Sequence, residues 1–133
     1  MLRYVLTYLG TAATFLAMDT AWLTLTVNRL YKPRLGAMMA DKPMLAPAAV
    51  FYLIYIAALL VLAVLPAAKA SSWSQLLFRA AVFGLAAYAT YDLTNQATLK
   101  DWSLVVTLAD LAWGTVATTV AASVGFLIAR RMT

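Results

Sequence analysis

The sequence predicts an all-α, polytopic membrane protein: four transmembrane helices in an antiparallel bundle, with three acidic side chains inside the apolar segments. Three observations predict this. The 133 residues are 65% hydrophobic and 11% charged, with a mean hydropathy of +0.84, whereas a soluble domain is about 45–50% apolar and about 25% charged. Four segments approach the roughly 20 apolar residues that a helix needs to cross a bilayer. Prolines and capping residues punctuate the chain between them. The length suits one transmembrane domain, residues 1–133, whose principal partner is the lipid bilayer.

The first span is expected over about residues 4–27 and carries Asp19. Arg3 and the apolar stretch after it would suit a secretory signal. No A-x-A site follows, however, and Asp19 interrupts the apolar run, so a retained span is expected. Pro33 follows it as a helix stop. The longest loop, about residues 31–46, has Leu35, Met38 and Met39 at helical spacing, which predicts a short interfacial helix. Met38, Met39 and Met44 are soft donors of the kind that hold copper(I), but methionines lying in the membrane interface account for them, and no metal site is assigned.

The second span, about 48–65, is free of charge, opened by Pro47 and closed by Pro66. Ser72 and Gln75 form a capping-box pattern ahead of the third span, about 73–95. Asp101 is the expected N-cap of the fourth, about 102–129, where the helix dipole favours a negative charge. Only the short stretch Gln96 to Lys100 joins the last two spans, so they should form an antiparallel hairpin.

The inventory excludes several chemistries. Cys, His and Glu are all absent, so no disulfide, thiolate nucleophile, zinc cluster, histidine-ligated haem or histidine acid/base can be built, and no cofactor is expected. The net charge of +5 does not point to nucleic acid. Its basic residues sit singly or in pairs at the ends of apolar segments, as lipid-headgroup anchors do, and no basic patch with interleaved aromatics exists. Orientation is balanced: Arg3, Lys69, Arg79, Arg130 and Arg131 fall on one face, and Arg29, Lys32, Arg34, Lys42 and Lys100 on the other.

Asp19, Asp92 and Asp110 lie within the predicted spans, each eight to ten residues from the loop face that carries Arg29, Lys100 and Asp101. At 1.5 Å per residue that is roughly 12–15 Å, so all three reach one depth near the midplane. An acid there costs about 2.5–3.5 kcal/mol on the insertion scale. Arg79 shares a span with Asp92 but lies about 20 Å along the helix from it. The carboxyls are therefore expected to be protonated, to share protons, or to be neutralised by a bound cation. Their helical neighbours are polar or aromatic: Phe15, Trp22 and Thr26 beside Asp19, Tyr88 and Asn95 beside Asp92, Thr107 and Trp113 beside Asp110. Asp19, Trp22, Tyr88, Asp92, Asn95, Asp110 and Trp113 form the candidate ligand- and proton-binding set, with no catalytic residue assigned. Gly114, Ala117, Thr118, Ala121 and Gly84 provide small-residue spacings for helix packing or homodimer contact. The echo of Asp-x-Ala-Trp at Asp19–Trp22 and Asp110–Trp113 falls on helices of opposite direction and is taken as local, not as an internal repeat.

At these residues the chain resembles the DUF2177 family of bacterial multi-pass membrane proteins. The match rests on MDTAWL at 18–23, Tyr31 with Leu35, FYLIY at 51–55, YATYDLTNQATLKDW at 88–102 and DLAWG at 110–114. The resemblance implies a four-span protein of the bacterial inner (cytoplasmic) membrane, and no established reaction. The family pattern takes in Asp19, Trp22, Asp92, Asn95, Asp110 and Trp113.

Three functions fit the residues. The first is binding or transport of a small cationic or proton-coupled molecule, since membrane-embedded acids exchange protons for substrates; four helices enclose little volume, so a homodimer would be needed. The architecture resembles that of small multidrug-resistance transporters, by analogy alone. The second is a membrane enzyme acting on a lipid or isoprenoid with the aspartates as acid/base groups. The third is an accessory subunit whose acids dock a partner helix.

Overall fold

In a computed structural model, which describes residues 1–132, the first rod begins as α1, Leu2–Thr26. Threonines dilute its apolar character. All but Thr20 are satisfied without water by folding the hydroxyl onto the carbonyl four residues back, as in Thr7 to Arg3 (2.8 Å), Thr11 to Thr7 (2.7 Å) and Thr14 to Gly10 (2.8 Å).

Pro33 does not stop this rod, contrary to expectation. The helix passes through a π turn, Val27–Tyr31, into α2, Lys32–Leu35, and a 3-10 turn, Gly36–Met38. Proline cannot donate to the carbonyl four residues back, that of Arg29. The Arg34 guanidinium donates there instead (3.4 Å) and to Leu30 (3.2 Å). The expected interfacial helix is thus the continuation of the first rod. It buries Leu35 and leaves Met38 and Met39 exposed.

The same device carries the second rod past Pro66, which was expected to end it at 65. α3, Leu45–Leu59, enters a π turn, Leu60–Val64, and continues as α4, Leu65–Ala70. Pro66 leaves the Leu62 carbonyl without its usual donor, and Arg79 from the next rod donates to it at 3.0 Å. Both π turns end immediately before the first turn that holds the proline, where a wider turn relieves the ring's clash with the carbonyls behind it. The rod stops at Ser71, which adopts the left-handed conformation (φ 50°) that closes many helices.

α5, Trp73–Thr98, is capped by Ser72, whose hydroxyl accepts from the Gln75 N–H (3.2 Å). The reciprocal half of the capping box is not formed: Gln75 Oε1 is buried without a partner. α6, Leu104–Arg131, is capped by Ser103, which accepts from the Val106 N–H at 3.4 Å. Asp101 is therefore not the N-cap. It occupies the preceding turn at φ 60°, a conformation that Asp tolerates better than most residues.

No strand occurs among the described residues. Three rods are long and apolar enough to cross a membrane: Leu45–Ala70, Trp73–Thr98 and Leu104–Arg131. α1 has the length but not the same apolarity, because of its threonines and Asp19.

The rods run alternately up and down. Along α1 and α6, Gly10 meets Ile128 while Asp19 meets Trp113; along α5 and α6, Gly84 meets Thr118 while Tyr91 meets Trp102. α6 sits at the centre, packed on α1, α5 and the second rod. Its stripe of Gly114, Ala117, Thr118, Ala121 and Gly125 is buried within the chain, so these small residues serve intrachain packing. A Cβ at Gly84 would stand 2.6 Å from the Gly114 carbonyl and 2.8 Å from Thr118 Cβ, so α5 and α6 touch backbone to backbone there. Phe15, Ile56, Leu59, Leu76 and Phe126 fill the core between the rods.

Candidate functional site

Asp19 and Trp22 lie three residues apart on α1, and Asp110 and Trp113 three apart on α6, so each pair shares a helix face. Because α1 and α6 are antiparallel, the two Asp-x-Ala-Trp motifs face each other head to tail. The indoles of Trp22 and Trp113 stack with ring centroids 4.6 Å apart and planes 8° from parallel. Trp113 Nε1 donates to Asp19 Oδ1 at 3.3 Å. Trp22 Nε1 donates to the Tyr31 hydroxyl at 2.9 Å, and Tyr31 donates in turn to Asp110 Oδ1. Tyr52 on α3 donates to Asp19 Oδ2. Each indole thus serves the acid of the opposite motif, one directly and one through a phenol.

Asp92 differs from both. Its side chain is 0% exposed, and neither carboxyl oxygen accepts a hydrogen bond from a neutral donor. It comes from α5 to lie against Asp110, which is itself only 7% exposed. Two adjacent carboxyls with no donor between them repel one another when both are charged, so the pair is a place that suits a proton or a cation. Among the described residues, no group of three or more acids gathers as a metal site.

Tyr88, one turn before Asp92, closes the cluster. Its ring packs on Gly114, where any Cβ would collide with it, and it lies within electrostatic reach of Asp19 and Asp110. Its other side faces a lateral cavity of about 420 Å³ lined by Phe51, Tyr55, Ala87, Tyr88 and Tyr91. The cavity walls are aromatic, and it opens between α3 and α5 onto the surface that faces lipid in a spanning bundle.

The model of the family described as predicted membrane protein (DUF2177) matches residues 4–127, a stretch that contains every side chain of this cluster. The chain belongs to this family. No curated protein and no solved structure matches it.

Within this DUF2177 chain, the structure brings together Asp19, Trp22, Asp110 and Trp113, sets Asp92 against Asp110, and places Tyr88 at the border with the cavity. Asn95 is not brought in: it is half-buried and lies by the Tyr91 hydroxyl four residues back, with no hydrogen bond to a carboxyl. Tyr31 and Tyr52 are members of the cluster that pattern reasoning did not select. Trp22 and Tyr31 are nine residues apart, two and a half turns of a regular α-helix, which would set them on opposite faces. The π turn at Val27–Tyr31 breaks that phase. Tyr52 sits on a span without charge, where nothing marks one tyrosine over its neighbours Phe51 and Tyr55. Chemically, the arrangement holds two acids by fixed donors and leaves one beside them for a proton or a cation.

Proposed function

We propose that this DUF2177 protein is a four-span carrier of the bacterial inner membrane that binds a small organic cation at the Asp92–Asp110 pair in exchange for a proton. One observation supports this reading above the rest: Asp92 is completely buried, yet neither of its oxygens has a donor. A carboxyl kept only to hold helices together would be expected to spend its oxygens on hydrogen bonds, as Asp19 does on Tyr52 and Trp113. An acid left unsatisfied beside a second acid is a site where a proton and a cation compete. The aromatic cavity next to it offers π faces, which attract organic cations.

All four rods cross the bilayer in this proposal. α1 is not among the three rods most suited to crossing by length and apolarity, but five of its six threonines bond within the helix and Asp19 and Trp22 turn to the cluster, which lowers the cost of placing it in lipid. The enzyme alternative has less support, since the sequence holds no nucleophile motif, phosphate loop or paired-aspartate metal motif.

The test uses the purified protein in weakly buffered detergent with tetraphenylphosphonium as the probe. Saturable binding should release about one proton per site, and Asp92→Asn should abolish the release and weaken binding at least tenfold. Binding without proton release, or binding that survives Asp92→Asn, would refute the proposal. An unchanged affinity together with loss of a co-purifying membrane protein would indicate the accessory role instead.

A further inference from the structure

A second site lies at the far end of the bundle, away from the aspartates. Arg3, Tyr4, Lys69 and Ser71 surround an open cleft of about 630 Å³ between the start of α1 and the end of the second rod. Arg3 Nε is buried there and has no hydrogen-bond partner. No aspartate among the described residues is placed to answer it: Asp41 and Asp101 lie in the loops at the opposite end, and Asp19, Asp92 and Asp110 lie well along the rods from it.

The cleft does not end at its charged mouth. Tyr4, Val61 and Leu65 also line an apolar groove of about 360 Å³ that runs on past Leu9 and Ala57. Tyr8 borders both this groove and a further one of about 350 Å³ that reaches Ala12, Leu16 and Tyr52. These grooves lie end to end between α1 and the second rod, from Arg3 to Leu16, with Tyr8, whose hydroxyl donates across to the Leu53 carbonyl at 3.1 Å, between the last two. That distance is about 20 Å at 1.5 Å per residue, longer than one leaflet's half of the roughly 30 Å hydrocarbon core. Their walls carry exposed apolar side chains, including Leu9 at 56% and Val61 at 63%.

A cationic mouth at headgroup level, followed by this trough of apolar grooves one leaflet deep, is complementary to one molecule with both properties. We propose that this groove is a binding site for an anionic phospholipid. Its phosphate sits on Arg3, Lys69 and the Ser71 hydroxyl, and one acyl chain lies along α1 and α3 toward Tyr52. Charge complementarity selects the anionic headgroup, because the described residues that line the mouth include two cations and no acid. The trough selects a lipid over a free phosphate, because the apolar surface it covers is otherwise unpartnered. The tail end of the groove meets Tyr52, which holds Asp19, but the site does not depend on the transport proposal.

Native mass spectrometry of the full chain, released from micelles supplied with phosphatidylglycerol or with phosphatidylcholine of the same chains, tests this. One phosphatidylglycerol should be retained, at least fivefold more tightly than phosphatidylcholine. Arg3→Gln and Lys69→Gln should each weaken retention at least fivefold, while Arg3→Lys should restore most of it. Lys32→Gln, at the opposite end, should change nothing. Ala57→Trp, which fills the trough without touching the mouth, should also weaken retention at least threefold. Equal retention of the two lipids, or an equal loss from Lys32→Gln, would reduce the effect to general surface charge and overturn the proposal. Competition by millimolar inorganic phosphate, or indifference to Ala57→Trp, would show that the mouth alone binds an anion and would equally overturn the lipid site.

Discussion

The same truncation at two of the buried acids separates a binding acid from a structural one. Asp19→Ala and Asp92→Ala delete the same atoms, so the energetic difference between them reports mainly what each carboxyl was bonded to. At Asp19 the truncation strands the Tyr52 hydroxyl and the Trp113 N–H. Side-chain hydrogen bonds between membrane helices average about 0.6 kcal/mol and reach about 1.7, so two of them are worth about 1–3 kcal/mol. At Asp92 no neutral donor is stranded, and the relief of the about 2.5–3.5 kcal/mol insertion cost of a mid-membrane acid is common to both truncations. The cavity left by truncation works against the prediction, because Asp92 is fully buried and Asp19 only partly. Even so, Asp92→Ala should be less destabilising than Asp19→Ala by at least about 1 kcal/mol. The assay is loss of helical circular dichroism as sodium dodecyl sulfate is titrated into dodecyl maltoside micelles. An Asp92→Ala loss equal to or larger than that of Asp19→Ala would refute the reasoning and make Asp92 a structural residue.

Three further outcomes follow from the packing. Arg79→Met should cost about 1.5–3 kcal/mol by leaving the Leu62 carbonyl without a donor, and Pro66→Ala, which restores a backbone donor, should remove at least half of that cost in a double-mutant cycle; costs that simply add would show that Arg79 does not cap the carbonyl. Gly84→Ala should destabilise by about 1–3 kcal/mol, because the new methyl meets the Gly114 carbonyl and Thr118 rather than a flexible side-chain tip; an unchanged unfolding midpoint would contradict the close approach. Ser103→Ala should cost about 0.5–2 kcal/mol in the same titration while Asp101→Ala costs less than about 0.5, since the first caps α6 and the second does not; the reverse order would restore Asp101 as the cap.

The helical class, the positions of the long rods and the hairpin between α5 and α6 follow from apolar run length and capping residues, which are local signals. What local signals misjudged was the effect of proline. Pro33 and Pro66 are stops by their own chemistry, yet Arg34 and Arg79 supply the missing donors. One of those arginines comes from another rod, which no window along the chain can see. Asp101 was favoured as a cap for its charge, but Ser103 holds the position because the helix starts at Leu104. The common depth of Asp19, Asp92 and Asp110 was readable by counting residues from the loop face. Their partners were not, since Tyr52 is presented by the crossing of α1 and α3, and Tyr31 by a phase change inside a π turn.

The repeated Asp-x-Ala-Trp motif has its physical meaning in the antiparallel packing. On helices running the same way, two identical motifs would present each tryptophan beyond the same end of the other's acid. On α1 and α6, which run oppositely, each indole reaches toward the acid of the other motif, Trp113 directly and Trp22 through Tyr31, and the two rings stack. The tyrosines complete the relation, Tyr52 donating to Asp19 and Tyr31 to Asp110. This crossed pair clamps α1 to α6, and sliding one past the other would break both arms at once. α5 has no counterpart to it. Asp92 is the member without a clamp, on the rod whose Tyr88 separates the cluster from the aromatic cavity. In the proposed carrier, a proton or cation passing between cavity and cluster would need α5 or its Tyr88 ring to shift, and would leave the α1–α6 clamp in place.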